Sequence, residues 1–131
     1  MVGREDFLAI ERLTETVEVP TLGAVTVREL TQDEYADWVA QWASRQAGEL
    51  TVDHRIYGAS LLQRSIVNGN GELLFTPEDV ERLTKLPARV TRPLLQAAER
   101  LNGITAEAMR DAKKNSEGGP DGSISTSSPA T

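Results

Sequence analysis

The sequence predicts an α+β fold, mostly α, with an N-terminal β-hairpin, a small multi-helix domain and a disordered C-terminal tail. Valines alternate with polar residues in 17–19 and 25–27, which is typical of strands with one buried face. Proline and glycine in 20–23 mark the reversal between the two strands. Thr31 and Glu34 then have the spacing of a capping box at a helix start. A hairpin that leads directly into a helix is therefore the predicted frame.

Three helices are predicted around and after this hairpin. Apolar residues at helical spacing predict a short N-terminal helix over 4–13, and the helix that begins at the capping box is predicted over 32–44. Gly48 interrupts the helical pattern, and Thr51 is the predicted N-cap of the next helix. That helix, over 52–67, has a wide apolar surface and is predicted to be central, with neighbours on several sides.

Further short elements of secondary structure are predicted in the second half of the chain. The Asn-Gly repeat at 68–71 ends the central helix, and 73–75 is predicted to be a short buried run. Thr76, followed by proline and two acids, is the clearest helix start in the chain.

Two more helices are predicted before the tail. Leucines and alanines between 94 and 101 predict a helix that ends at Asn102. Pro93 leaves its start open, near Thr91 or, with a kink, near Ala88. Thr105 is the predicted cap of a last short helix that runs through Ala112.

The domain boundary is predicted from an abrupt change in composition. Residues 1–114 are interpreted as one domain of hairpin plus helices. Residues 115–131 contain three Gly, five Ser and two Pro among 17 positions. Such a segment buries too little apolar surface to offset its ordering entropy, so a disordered tail is predicted.

Composition excludes several classes of protein. The chain has no cysteine, which excludes disulfides, thiolate metal sites and cysteine nucleophiles. No apolar run approaches the roughly 20 residues of a membrane span, and the acidic start differs from a signal peptide, so a cytoplasmic protein without membrane contact is expected. The net charge of −6 disfavours nucleic-acid binding. Residues 1–53 carry −7 and residues 54–114 carry +3, which either reflects solvated helix faces or supports head-to-tail self-association.

Candidate chemical sites have simpler interpretations. His54 is the only histidine, which leaves no His pair for a metal, and the 68–72 loop lacks the alternating acids of a calcium loop. Glu78 and Asp79 are interpreted as helix-start acids rather than as ligands of a metal-dependent hydrolase. No enzyme, cofactor or metal site is therefore predicted.

Aromatic residues supply the candidate protein-binding surface. Tyr35, Trp38 and Trp42 share one face of a predicted helix, and Tyr57 and Leu61 lie beside the apolar stripe of the central helix. Tryptophan pairs occur both in cores and as binding hot spots, so both interpretations stay open. If the pair is a hot spot, replacing Trp38 and Trp42 by alanine leaves the fold intact and weakens partner binding.

The order of these parts resembles the tail assembly chaperones of long-tailed, siphovirus-type bacteriophages. The resemblance covers about residues 14–117. It depends on six segments taken as a set, namely 17–31, 65–72, 75–80, 83–86, 101–103 and 112–115.

This resemblance implies a non-enzymatic protein of the host cytoplasm that is absent from the mature virion. Such a chaperone binds and solubilises the phage tape measure protein, recruits the major tail (tube) protein and self-associates into spirals. It also implies a longer product made by ribosomal frameshifting, for which Lys113, Lys114 and Asn115 are the candidate slippage region.

Two other functions remain open on sequence grounds. A generic helical adaptor or regulator would use the same surface. A small DNA-binding protein would place a helix-turn-helix over 76–101 and require its basic side chains to share one face. Those side chains are Arg82, Lys85, Arg89, Arg92 and Arg100.

Overall fold

The computed structural model describes residues 1–104, which form a small α+β domain. The predicted helix after Thr105, the 114/115 domain boundary, the tail and the candidate slippage region at 113–115 lie outside the described residues. The fold begins with α1 (Arg4–Leu8) and then forms the predicted hairpin from β1 (Thr14–Val19) and β2 (Gly23–Arg28). α1 is shorter than the predicted 4–13 helix.

The hairpin is antiparallel, with Thr14 opposite Arg28 and Val19 opposite Gly23. Gly23 has φ of +117°, which an L side chain rarely adopts, so the turn requires glycine there. Val19 and Val27 point into the core, as the alternation predicts.

The capping box of α2 (Gln32–Trp42) forms as predicted. The Thr31 hydroxyl accepts from the Glu34 backbone N–H, and the Glu34 carboxylate accepts from the Thr31 backbone N–H. Both bonds satisfy donors that a helix start leaves free. α2 therefore begins where the sequence places it.

A second hairpin between α2 and α3 is absent from the sequence prediction. β3 (Ala43–Gln46) pairs antiparallel with β4 (Glu49–Val52). The turn residues Ala47 and Gly48 both have positive φ, 55° and 84°, which is the geometry of tight hairpin turns. Ala-Gly is a weak signal for such a turn, and Gly48 was therefore interpreted only as a helix interruption.

α3 (His54–Ser65) is the central helix, as predicted, and packs against α2, α4 and α5. Its N-cap is Asp53, whose carboxylate accepts from the Arg55 and Ile56 backbone N–H groups. The predicted cap at Thr51 is wrong, because Thr51 is paired within β4.

A third strand and a tight turn follow α3. β5 (Ile66–Val67) pairs antiparallel with β2, giving the sheet order β1-β2-β5. Asn68 accepts from the backbone N–H groups of Asn70 and Glu72 through one side-chain oxygen. The 68–72 segment is therefore a turn, as interpreted. It does not end the central helix as predicted, because α3 ends at Ser65 and residues 66–67 pair with β2.

The 73–75 run is not buried as predicted. Leu73 and Leu74 are exposed and Phe75 is only half-buried. The segment follows β5 at the margin of the sheet, and Leu74 makes a backbone hydrogen bond to Ile66. Nothing in residues 1–104 covers the two leucines.

The remaining described chain is helical. A 3₁₀ turn (Pro77–Asp79) leads into α4 (Val80–Leu83), and α5 spans Ala88–Leu101. α5 therefore begins at the earlier of the two predicted starts and contains Pro93. α5 packs across β1 and β2, and the core lies between this sheet and the helices.

Asn102 ties the end of α5 to the chain that leaves the first hairpin. Its side-chain oxygen accepts from the Leu30 N–H at 2.9 Å, and its amide donates to the Ala98 carbonyl at 2.8 Å. Leu30 is buried, so Asn102→Ala leaves a buried donor without a partner. We expect the free energy of unfolding in urea to fall by about 1–3 kcal/mol.

Asn70→Ala is the matched control, because Asn70 is exposed and its side chain makes no hydrogen bond within residues 1–104. Equal stability of the two variants would contradict a structural role for Asn102.

Candidate functional site

The predicted aromatic residues come together, but mainly in the core. The rings of Trp38 and Trp42 lie 5.4 Å apart, and each lies 5.1 Å from Tyr57. The Trp38 indole donates to the Tyr57 carbonyl at 3.1 Å. Tyr35 contacts Trp38 edge to face at 5.4 Å. These aromatic side chains form one packed cluster, stabilised by ring contacts as well as burial.

Burial favours the core interpretation of the tryptophan pair over the hot-spot interpretation. Trp38 and Leu61 have no exposed surface, and Trp42 is 7% exposed. α2 and α3 pack against each other, so the apolar face of α2 that carries Trp38 and Trp42 is buried within the fold. Tyr35 and Tyr57 are partly exposed, and they alone of the five candidates retain surface for a partner.

Tyr57 joins the cluster to α5. Its phenol donates to the Glu99 carboxylate at 2.8 Å. Burial, and then the hydrogen bond to Glu99 and its negative charge, raise the pKa of the Tyr57 phenol well above its ordinary value. The phenol is therefore a structural donor that stays protonated at neutral pH.

This raised pKa predicts a loss of stability at high pH. The unfolded chain releases the Tyr57 proton near the ordinary pKa of about 10, whereas the folded chain retains it. The contribution is fully present below pH 10 and is lost as pH rises above it. We expect the free energy of unfolding of the wild type to fall more steeply above about pH 10 than that of Tyr57→Phe. Equal slopes for wild type and Tyr57→Phe would contradict the assignment.

An apolar groove lies on another side of the domain. Its rim consists of three leucines from separate parts of the chain: Leu22 at the hairpin tip, Leu74 after β5 and Leu86 after α4. They are 61%, 55% and 43% exposed. The groove has a volume of about 70 Å³, which is room for one short aliphatic side chain.

The groove is apolar throughout. Its half-buried walls are Val25, Phe75 and Val90, and its floor includes Leu62 and Leu94. Of the eleven lining residues, Thr91 alone is polar. Because exposed apolar side chains seldom cluster without a partner, the groove is the strongest candidate binding surface in residues 1–104. The sequence does not predict this groove, because its three rim leucines lie far apart in the chain and no local pattern shows that they meet.

Two other cavities contain polar groups that are already engaged. One, of about 270 Å³, lies between α3 and α5 and includes Arg55, which pairs with Glu81 at 2.7 Å. The other, of about 400 Å³, includes Glu34 and Arg64. Glu34 is held by the capping box and by Arg12, and Arg64 donates to the Gln41 side chain.

The geometry gives little support to a metal site at Asp79 or to a helix-turn-helix. The Asp79 carboxylate accepts from the Thr76 N–H at 2.9 Å, as a helix-start acid does. Across residues 1–104, no group of three or more potential ligands is placed to hold a metal ion. For a helix-turn-helix, α4 has only four residues, and Arg100 is turned toward Glu15 as an ion pair.

Comparisons of this chain with known proteins found no match. No family model, curated protein or solved structure matches this chain. Among the helices of the described part, none is long and apolar enough to cross a bilayer.

Proposed function

We propose that this chain is a non-enzymatic assembly chaperone of the phage-tail type, which binds an amphipathic helical partner in the apolar groove. The groove is the observation that carries the proposal. Its three exposed leucines present an apolar surface of the kind that receives the apolar stripe of a helix. The proposed partner is the tape measure protein, a long helical protein with apolar faces.

The size of the groove supports weak, repeated contacts rather than one tight complex. Covering each partly exposed leucine contributes about 1–2 kcal/mol. Three of them together contribute about 3–6 kcal/mol, which is comparable to the lowest free-energy cost of association, about 4 kcal/mol. Several copies along one long partner would raise the overall affinity through multivalency, and a protein that coats its partner needs this arrangement.

The remaining roles are proposed from the resemblance. The chaperone acts in the host cytoplasm, recruits the tail tube protein and is absent from the virion. A longer frameshifted product would carry a domain beyond the slippage region, and the tail would tether tube subunits near the tape measure protein. Coding DNA without a slippery heptamer near codons 113–115 would contradict the frameshift.

Co-expression with the protein encoded immediately downstream tests the function. We expect size-exclusion chromatography with light scattering to show several copies of this chain on each long helical partner. Binding instead to a partner without a long helix would favour the generic adaptor. A chain that ignores its neighbour and shifts DNA at low salt would favour the DNA-binding alternative.

A further inference from the structure

The N-terminal segment, residues 5–13, presents apolar side chains that nothing in residues 1–104 covers. Phe7, Leu8, Ile10 and Leu13 are all at least 60% exposed. α1 has five residues and buries none of them, and a helix that short is not stable in water without tertiary contacts. Four exposed apolar side chains in seven residues therefore indicate a docking segment.

Charge matches this segment to the apolar groove. Residues 5–13 contain three acids and one basic residue, Arg12, which pairs with Glu34. Residues 82–92, which form one wall of the groove, contain four basic residues and no acid, and all four basic side chains are exposed. The net charge of the segment and that of the groove wall are therefore of opposite sign, which favours association between them.

The segment and the groove lie at opposite ends of the first hairpin. Leu13 is fixed at the open end, where its N–H donates to the Glu29 carboxylate and its carbonyl accepts from the Glu29 N–H. Leu22 is at the closed end and forms part of the groove rim. A six-residue strand separates the two ends by about 20 Å. This placement favours contact between copies over contact within one copy.

We propose that the N-terminal segment of one copy docks into the apolar groove of a second copy. The contact joins two different surfaces, so it is heterologous and propagates head to tail. The inference rests on the proposed function in that both assign the groove as a binding surface. It adds that the groove's first occupant is this chain itself, which a helical partner must displace.

Two variants of the full-length chain separate the two halves of this contact. The N-terminal variant carries Phe7→Ser and Ile10→Ser, and the groove variant carries Leu22→Glu and Leu74→Glu. All four side chains are exposed, so both variants should keep the wild-type circular dichroism spectrum. Leu73→Glu is the matched control, because this exposed leucine lies beside Leu74 but does not line the groove.

Sedimentation velocity gives the decisive measurement. We expect wild type and Leu73→Glu to self-associate at about 0.1 mM, and each of the other two variants to lose at least about tenfold in association constant. An equimolar mixture of the N-terminal and groove variants should form a dimer and nothing larger. In that mixture the intact N-terminal segment of the groove variant binds the intact groove of the N-terminal variant. The substituted segment and the substituted groove cannot extend the dimer.

Three results would overturn the inference: a wild type that stays monomeric at that concentration, an N-terminal variant that still self-associates, or a mixture of the two variants that stays monomeric. Because no other protein is present in this experiment, its result does not depend on the proposed partner. A chain that binds the tape measure protein without self-associating refutes only the inference. A chain that assembles as described but ignores that partner refutes only the proposed function.

Discussion

Trp38→Ala is expected to destabilise the fold severely. The Trp38 side chain has no exposed surface and contacts Tyr35, Trp42 and Tyr57 through its ring. Its removal costs about 3–5 kcal/mol through lost burial and the cavity left behind. It also leaves the Tyr57 carbonyl without its indole donor. A domain of this size has about 5–15 kcal/mol of stability, so this loss takes a large share of the total.

Urea denaturation followed by tryptophan fluorescence measures this loss, with Trp42 as the remaining reporter. Leu73→Ala is the control, since it truncates a large apolar side chain that is exposed. Its free energy of unfolding should stay within about 0.5 kcal/mol of wild type. A Trp38→Ala variant with wild-type stability but weaker partner binding would restore the interpretation of Trp38 as a hot spot. The structure favours the opposite outcome.

The groove variant, Leu22→Glu with Leu74→Glu, is expected to abolish partner binding while it leaves the fold intact. Both leucines are more than half exposed, so little burial is lost on substitution. Two carboxylates at the rim would have to lose water when an apolar helix docks, which costs several kcal/mol for each unpaired charge. The variant should remain folded alone but fail to co-purify with the proposed partner, the tape measure protein.

Leu73→Glu controls for added negative charge on the same loop, because Leu73 lies outside the groove. It should co-purify with the partner as the wild type does. If the groove variant also binds normally, the apolar groove is not the partner site. The partly exposed Tyr35 and Tyr57 would then be the next candidates.

Local signals predicted the elements whose information lies in a few neighbouring residues. The valine alternation, the Pro–Gly turn and the Thr31–Glu34 box each form in the structure as the sequence indicates. The second hairpin was missed because its Ala47–Gly48 turn lacks the Asn-Gly or Asp-Gly signal. The cap at Asp53 differs from the predicted cap for a related reason: Thr51 is also a common N-cap residue, and only its pairing within β4 removes it from that role.

Burial could not be predicted with the same success. Trp38 and Leu74 are both large apolar residues; the local pattern leaves Trp38 open between core and binding surface, and it wrongly predicts that Leu74 is buried. Trp38 is buried because α3 and Tyr57 lie against it, and Leu74 is exposed because nothing in residues 1–104 crosses the outer side of its loop. Sequence periodicity identifies an apolar face but not the element that covers it.

The sequence by itself determined the first hairpin, the start of α2 and the uneven distribution of charge, because these depend on residues close together in the chain. Only the tertiary structure decided that the aromatic cluster belongs to the core and that Leu22, Leu74 and Leu86 meet in one groove. Those three leucines come from a hairpin tip, a loop and a helix end, separated by up to 64 positions. Their meeting depends on how the helices pack across the sheet, and no local pattern of residues encodes that packing.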